Sequence, residues 1–412
     1  MKLRTILFLF LGLFLLSRGA WAAPPEHLGA ADVEALSGEK EDLSGRFAGL
    51  LFVPRGALDV TEDKYGQPFH AACYAYVAER APGSEVSGPV AGYDLRFAVY
   101  APDADSLPLA KRVSRLLVLL IGEARARLRY NPPSDMPVVS VWLTRQAGQG
   151  LSADVGGEQF KDQIYLYDIY SARKPIEWAR EVAHEYGHFS LPGISGYTAP
   201  EEWANGVLGE RLYLKWLRED LRAGRLHPEE VPFVTPDMLQ DYLARQVDPL
   251  IRRVAREGVD EHEMGRRSAA GMDAFTALAL YLDTVYGSKA LMDAFAYTLP
   301  QQGGFIHGTD FMRGVYASLS GVTDLTVTPP SWSRDERSAG FSIYLPRGEF
   351  HASAEGPVHS WSFPADAKGI HLYDRDSFFV GLAGWQKLSL TLSRPEEAPP
   401  HLIFHRQGTD VR

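Results

Sequence analysis

Apolar and polar positions change their period along this chain. Three β-prone runs come first, Phe47–Val53, Phe69–Ala78 and Asp94–Tyr100, divided by Pro/Gly/Ser-rich stretches such as Ala81–Pro89. They predict the start of a sheet. From Leu109 to Tyr130, Val113, Leu116, Leu117, Leu120, Ala124 and Leu128 recur at helical spacing with arginines around the rest of the cylinder. That is a packed amphipathic helix with a solvated basic side. Asn131-Pro132-Pro133 ends it, Val138–Leu143 reads as a buried strand, the Gly-rich segment through Gly157 as a loop, and Gln163–Ile169 as a further strand. This last strand is either a sheet edge along which an extended peptide can pair or an ordinary interior strand. Helices are expected over Lys174–Leu191, Pro200–Arg222, Thr235–Arg256, Ala270–Tyr286, Ser288–Tyr297 and Asp310–Leu319. Phe275, Leu278, Leu282 and Val285 form a core-facing stripe. After a Pro/Ser/charge-rich linker, Val327–Gly340, the period returns to two: strands are predicted at Phe341–Leu345, Gln386–Leu392 and Leu402–Phe404.

The fold class that follows is α+β, a small mixed sheet with a helical layer, flanked by an N-terminal β segment and a small C-terminal all-β domain. The expected divisions are residues 1–22, 23–91, 92–325 and 326–412. Residues 1–22 read as an export signal: Lys2 and Arg4 precede an apolar run from Ile6 to Leu16, and Ala20-Trp21-Ala22 fits a small-residue cleavage site. An uncleaved anchor is the alternative, although the run is short for a bilayer span. A periplasmic or secreted protein is therefore expected, with no stable membrane span after cleavage. At 412 residues, 45% hydrophobic and 23% charged, the chain is ordinary globular protein. Its formal charge of −10 argues against nucleic acid as a partner. The only cysteine, Cys73, has no internal disulfide partner and reads as a buried structural thiol. The sequence sets no oligomeric state.

The chemistry concentrates in Lys174–Leu191, KPIEWAREVAHEYGHFSL. His184 and His188 are four apart, so on a helix both imidazoles share one face and can hold one tetrahedral metal ion, with Glu185 beside it. Pro175 suits the first turn, Ile176, Ala179, Val182, Ala183 and Tyr186 give the apolar face, and Leu191-Pro192-Gly193 stops the helix. Two histidines leave a catalytic zinc one protein ligand short. Glu201 is the choice, because Asn205 would share its face on a helix from Pro200 and accept a hydrogen bond from a ligand imidazole. Glu202 is the runner-up, and Glu210 is expected to face away. Gly206 and Gly209 would let this helix approach another backbone closely.

HEYGH followed by Glu201-Glu202-Trp203-Ala204-Asn205 resembles the gluzincin branch of zinc metallopeptidases, the thermolysin-like and peptidase-MA-like proteins. The lead-in FAVYAPDADSLPLAKRVSRLL, then VVSVWL and QIYLYD, is similar to how such domains begin, and the likeness covers about residues 92 to 320. It implies a zincin-like catalytic domain, Zn2+ on His184, His188 and Glu201, Glu185 as general base, and a peptide or protein substrate. The chain departs from that family where Asn205 stands in place of a frequent Asp, and in the short spacing between His188 and Glu201. The expected chemistry is amide hydrolysis by water that zinc activates and Glu185 deprotonates. For the oxyanion donor, Tyr197 is the first candidate, then His262, Tyr286 and His307. The alternative functions are a non-catalytic binding protein on the peptidase fold and a metal hydrolase acting on a non-peptide or cell-wall amide.

Overall fold

The computed structural model describes residues 27–28, 31, 40–41, 50–55, 61–78, 93–128, 138–145, 156–298, 306–330, 338–392 and 400–407. The expected leader, the breaks at Ala81–Pro89 and Asn131–Pro133, and residues 331–337 of the expected linker lie outside these. The architecture is α+β, with strands first, a helical middle and β-sheets at the C-terminal end.

The main sheet is built from β1 (Leu50–Arg55), β2 (Ala71–Ala78), β3 (Tyr93–Ala101), β4 (Val139–Leu143), β5 (Gly157–Phe160) and β6 (Gln163–Leu166), in the order β1-β2-β3-β4-β6-β5. Two-residue strands at His27–Leu28 and Lys40–Glu41 pair with β3 and β1. β3, β4 and β6 run parallel, and β5 turns back antiparallel on β6. Alternation divides the side chains between the faces. Cys73, Val99, Val141, Ile164 and Leu166 join the main core, and Phe69, Trp142, Tyr165 and Tyr167 form a second cluster. Trp142 stacks on Tyr100 and Tyr165, so the far face is an aromatic ladder.

β6 therefore lies inside the sheet, between β4 and β5, which decides between the two readings of this strand. The edge on this side, among the described residues, is β5, which begins at Gly157, where the expected loop ends. GEQF is polar and Gly-led, without an alternation of its own, and its pairing is supplied by β6.

Helix α1 (Leu107–Leu128) covers the core face, its apolar stripe buried as its spacing predicts. The motif helix α2 (Pro175–Ser190) starts at Pro175, and Glu177 accepts the Lys174 N–H. It crosses α3 (Ala204–Arg222), and then come α4 (Pro236–Gln246), α5 (Asp248–Glu257), α6 (Glu261–Met264), α7 (Ala269–Val285), α8 (Ser288–Thr298) and α9 (Gly308–Ser320). The single helix expected over Thr235–Arg256 is two helices meeting at Val247, because Pro249 fits only a first turn. None of the described helices is long and apolar enough to cross a membrane.

The C-terminal strands form a five-stranded antiparallel sheet and a three-stranded one. Phe341–Leu345 and Gln386–Leu392 pair with each other in full register, extended to Ser338–Leu345 and Gly384–Leu392. Strand Asp324–Val327 crosses the expected boundary at 325/326 and pairs with His401–Gln407. Tyr281 donates to the Ser342 carbonyl, and Tyr286 accepts the Tyr344 N–H, so the three-stranded sheet is hydrogen-bonded to α7 and its end.

Candidate metal centre

Two glycines set the helix crossing on which the centre is built. A Cβ on Gly209 would stand 2.4 Å from the Gly187 Cα, and one on Gly187 would stand 2.8 Å from the Gly209 Cα. Only glycine pairs allow so close a backbone approach. The crossing brings the start of α3 under the two motif histidines.

His184, His188 and Glu201 converge there. The His184 and His188 Nε2 atoms are 3.2 Å apart, and Glu201 Oε2 is 3.2 Å from the first and 3.7 Å from the second. Bonds of about 2.0–2.1 Å to a shared zinc-sized ion would place tetrahedral donors about 3.3 Å from each other. Among the described residues this is the one group of His, Cys, Asp and Glu side chains able to hold a metal ion. The outer contacts agree. His188 Nδ1 lies 3.0 Å from Asn205 Oδ1, while the Asn205 amide donates to the His188 carbonyl at 3.1 Å. The amide orientation thus puts the His188 proton on Nδ1 and aims the Nε2 lone pair at the shared point. Glu210 Oε2 stands 3.6 Å from His184 Nδ1, beyond hydrogen-bond length, and acts on that ring through its charge. Glu201 Oε1 is buried without a hydrogen-bond partner. Lone pairs facing one another in a half-buried site repel unless a cation lies between them, so these residues fit a metal ion.

The helix expected from Pro200 begins at Ala204, whose N–H donates to the Ile194 carbonyl. Glu201 therefore reaches the site from the loop ahead of α3, and the shared-face argument for Glu201 and Asn205 does not apply, although both contacts form. Glu202 turns outward, is exposed, and accepts from Ser195. Glu210, expected to face away, points at α2, where it accepts from Arg180 at 2.7 Å, and it also accepts from Tyr242 of α4.

Charge follows this arrangement. Burial opposes ionisation of Glu201, but with no ion bound the adjoining imidazoles of His184 and His188 outweigh it and lower its pKa to about 2. Glu210 is likewise held at about 2, against burial, by His184 and Arg180. Burial also works against a charge on His184, yet Glu201 and Glu210 raise its pKa well above the usual imidazole value. Glu185 is 3% exposed, its Oε2 has no hydrogen-bond partner, and burial is the main cause raising its pKa to about 8.

These groups line a cavity of about 970 Å³. Its walls include β5 from Gly157 to Phe160, Glu181, Trp203, Arg211 and Asp273. None of the four expected oxyanion donors lies on it. Tyr197 is 4% exposed, stacked on His307 with its hydroxyl against Gly308. His262 is exposed on α6 beside Arg266, its short helix pointing it to solvent rather than to the centre. Tyr286 is engaged by Tyr344, and His307 precedes α9. The groups missed from sequence are β5, Glu181 and the contact of Glu210 with His184. For Glu181 the signal was present: it precedes Glu185 by one helical turn and so shares its face.

No family model and no curated protein matches the chain. Among solved structures it is similar to the crystal structure of Legionella pneumophila aminopeptidase A in complex with aspartic acid, at 10% identity and a TM-score of 0.30. The match covers 85% of this chain and 41% of that one, so the chain spans about two fifths of that protein. A likeness at this level carries no argument about mechanism.

Proposed function

We propose that the protein is an exported zinc-dependent peptidase. The observation that carries the reading is the convergence of His184, His188 and Glu201 at tetrahedral spacing beside the buried carboxylate of Glu185. When bound, zinc supplies Lewis-acid polarisation of an amide carbonyl and of water. Glu185 takes the proton of the attacking water and passes it to the leaving nitrogen as the C–N bond breaks. With a dication held by His184, His188 and Glu201, Glu185 would ionise more readily than its burial alone allows and would be able to accept a proton. The edge strand β5 offers its backbone N–H and C=O groups along the cavity wall, where an extended peptide can pair without a demand on its sequence. Export rests on the leader pattern of residues 1–22.

The test is hydrolysis of a mixed peptide library by the purified chain. Chelation is expected to abolish cleavage, zinc to restore it, and Glu185→Gln to remove it with zinc still bound. Cleavage that survives Glu185→Gln rules the mechanism out.

A further inference from the structure

Glu181 stands one turn ahead of Glu185 on α2 and lines the same cavity, yet it has no hydrogen bond or ion pair among the described residues. The positive charges near it, His184, Arg173 and Arg180, have their direct contacts elsewhere, His184 with Glu201 and Glu210. Arg180 donates to Glu210, and Arg173 donates to the carbonyls of Tyr167 and Gly156. Two glycines make room for it. A Cβ on Gly156 would lie 2.4 Å from Glu181 Oε2, and one on Gly157 would lie 2.8 Å from both Glu181 Oε1 and Glu185 Oε1. The two carboxylates thus sit side by side against β5. An acid pair in which Glu181 makes no direct ion pair with a protein cation, open to a cavity, is a seat for a cation that the ligand brings.

We infer that Glu181 binds the protonated α-amino group of the substrate, so that the site takes peptides with a free amino terminus and releases their first residue. This rests on the peptidase reading above. The reach of the chain selects this cation over a lysine or arginine side chain. One N–Cα and one Cα–C bond place the amino nitrogen about 2.5 Å from the carbonyl carbon of the same residue. Glu181 Oε1 and Glu185 Oε1 both lie 2.8 Å from the point a Gly157 Cβ would occupy, so the two carboxylates are close enough to serve neighbouring atoms of one residue, whereas a side-chain ammonium lies several bonds further out. Hydrolysis balances as above: water adds to the carbonyl carbon, its proton passes through Glu185 to the leaving nitrogen, and Glu181 transfers none.

The test uses twin peptides that differ only in N-terminal acetylation, which removes the charge. Zinc-loaded wild-type chain is expected to favour the free-amine twin by about 30-fold or more in kcat/KM, as for a shielded charge pair. In Glu181→Gln that preference collapses, with the loss chiefly in KM, and Glu181→Asp restores part of it. Calorimetry on the zinc-loaded Glu185→Gln chain measures binding apart from turnover: the free-amine twin binds tighter, and adding Glu181→Gln erases the difference. Equal cleavage of the twins, or a Glu181→Gln loss of the same size on both, overturns the inference and makes Glu181 a proton-sharing or structural partner of Glu185. If neither twin is cleaved while Glu181-dependent binding persists, the peptidase reading fails and the amine seat stands. If neither is cleaved and the twins bind alike or not at all, both fail.

Discussion

A methyl group on Gly206 would stand 2.3 Å from His188 Nε2 and 2.6 Å from His184 Nε2, in the space a shared ion would fill. Gly206→Ala is therefore expected to abolish stoichiometric metal binding while far-UV circular dichroism stays native, since the helix itself gains from alanine. A variant that folds and keeps its metal would show that the ion does not sit between the imidazoles. Asn205 acts one shell out. Removing its carboxamide frees the His188 ring, and Asn205→Ala should weaken metal affinity by about 10- to 100-fold; competition with a chelator of known affinity reads this directly. At this scale much was legible. The spacing of His184, Glu185 and His188 needs only the helical repeat, and Asn205 needs only the idea that a ligand imidazole wants an acceptor. Glu201 was reached through a helix that does not extend to it, because Pro200 suits a first turn and nothing local reports that Ala204 bonds back to Ile194. Tyr197 was the first oxyanion candidate because it stands between the two ligand segments in sequence, which says little about which wall of a cavity a loop residue faces.

Among the elements, α3 is held on both flanks. On one it crosses α2 at Gly187 and Gly209; on the other, Lys215 forms a fully buried pair with Asp283 of α7 at 2.6 Å, joined by the Trp216 indole at 2.9 Å. Burial works against the Asp283 charge, but Lys215 and the Ser288 and Trp216 donors lower its pKa below the ordinary value. A carboxyl with a lowered folded pKa contributes stability above its unfolded pKa and loses it as pH falls through the folded one. The chain should thus lose this contribution only in acid, on the low side of the usual aspartate range. Asp283→Asn removes the buried counter-ion of Lys215 and leaves it only the partly exposed Glu219 at 2.7 Å, at an expected cost of about 3 kcal/mol, the low end for a broken buried pair, measured by denaturant unfolding at neutral pH. A change within error would show the pair to be solvated. The elements themselves divide by how far they carry their own signal. Helices α1 and α7 follow from periodicity because half of each is core. β5 and strand Gly348–Glu355 escaped because GEQF and GEFHASAE lack a clear run of alternating apolar residues, and their pairing is imposed by β6 and by His401–Gln407. The break at Val247 had its signal in Pro249, outweighed by apolar spacing that continues across it.

The whole chain joins its metal centre to its C-terminal sheets through the helical layer. Tyr281 and Tyr286 bury their hydroxyls against Ser342 and Tyr344, and the Trp385 indole donates to Tyr316. A chain stopped at residue 330 would uncover these aromatic surfaces and leave strand Asp324–Val327 without its partner His401–Gln407. It is expected to lose cooperative unfolding and to self-associate, seen by calorimetry and light scattering, because exposed apolar patches and open strand edges drive association; a monomer melting as the full chain does would show the sheets to be independent. The α+β class was legible from the change of period along the chain, whereas these hydrogen bonds between distant segments were not. Everything proposed for the reaction depends on one ion held by three side chains. Metal analysis of the full chain, purified and dialysed with zinc, tests that most directly against the Glu201→Ala variant. One zinc per chain, lost in the variant with the fold intact, is the result predicted. A wild-type chain without stoichiometric zinc, or a Glu201→Ala chain that binds it as tightly, would contradict the account.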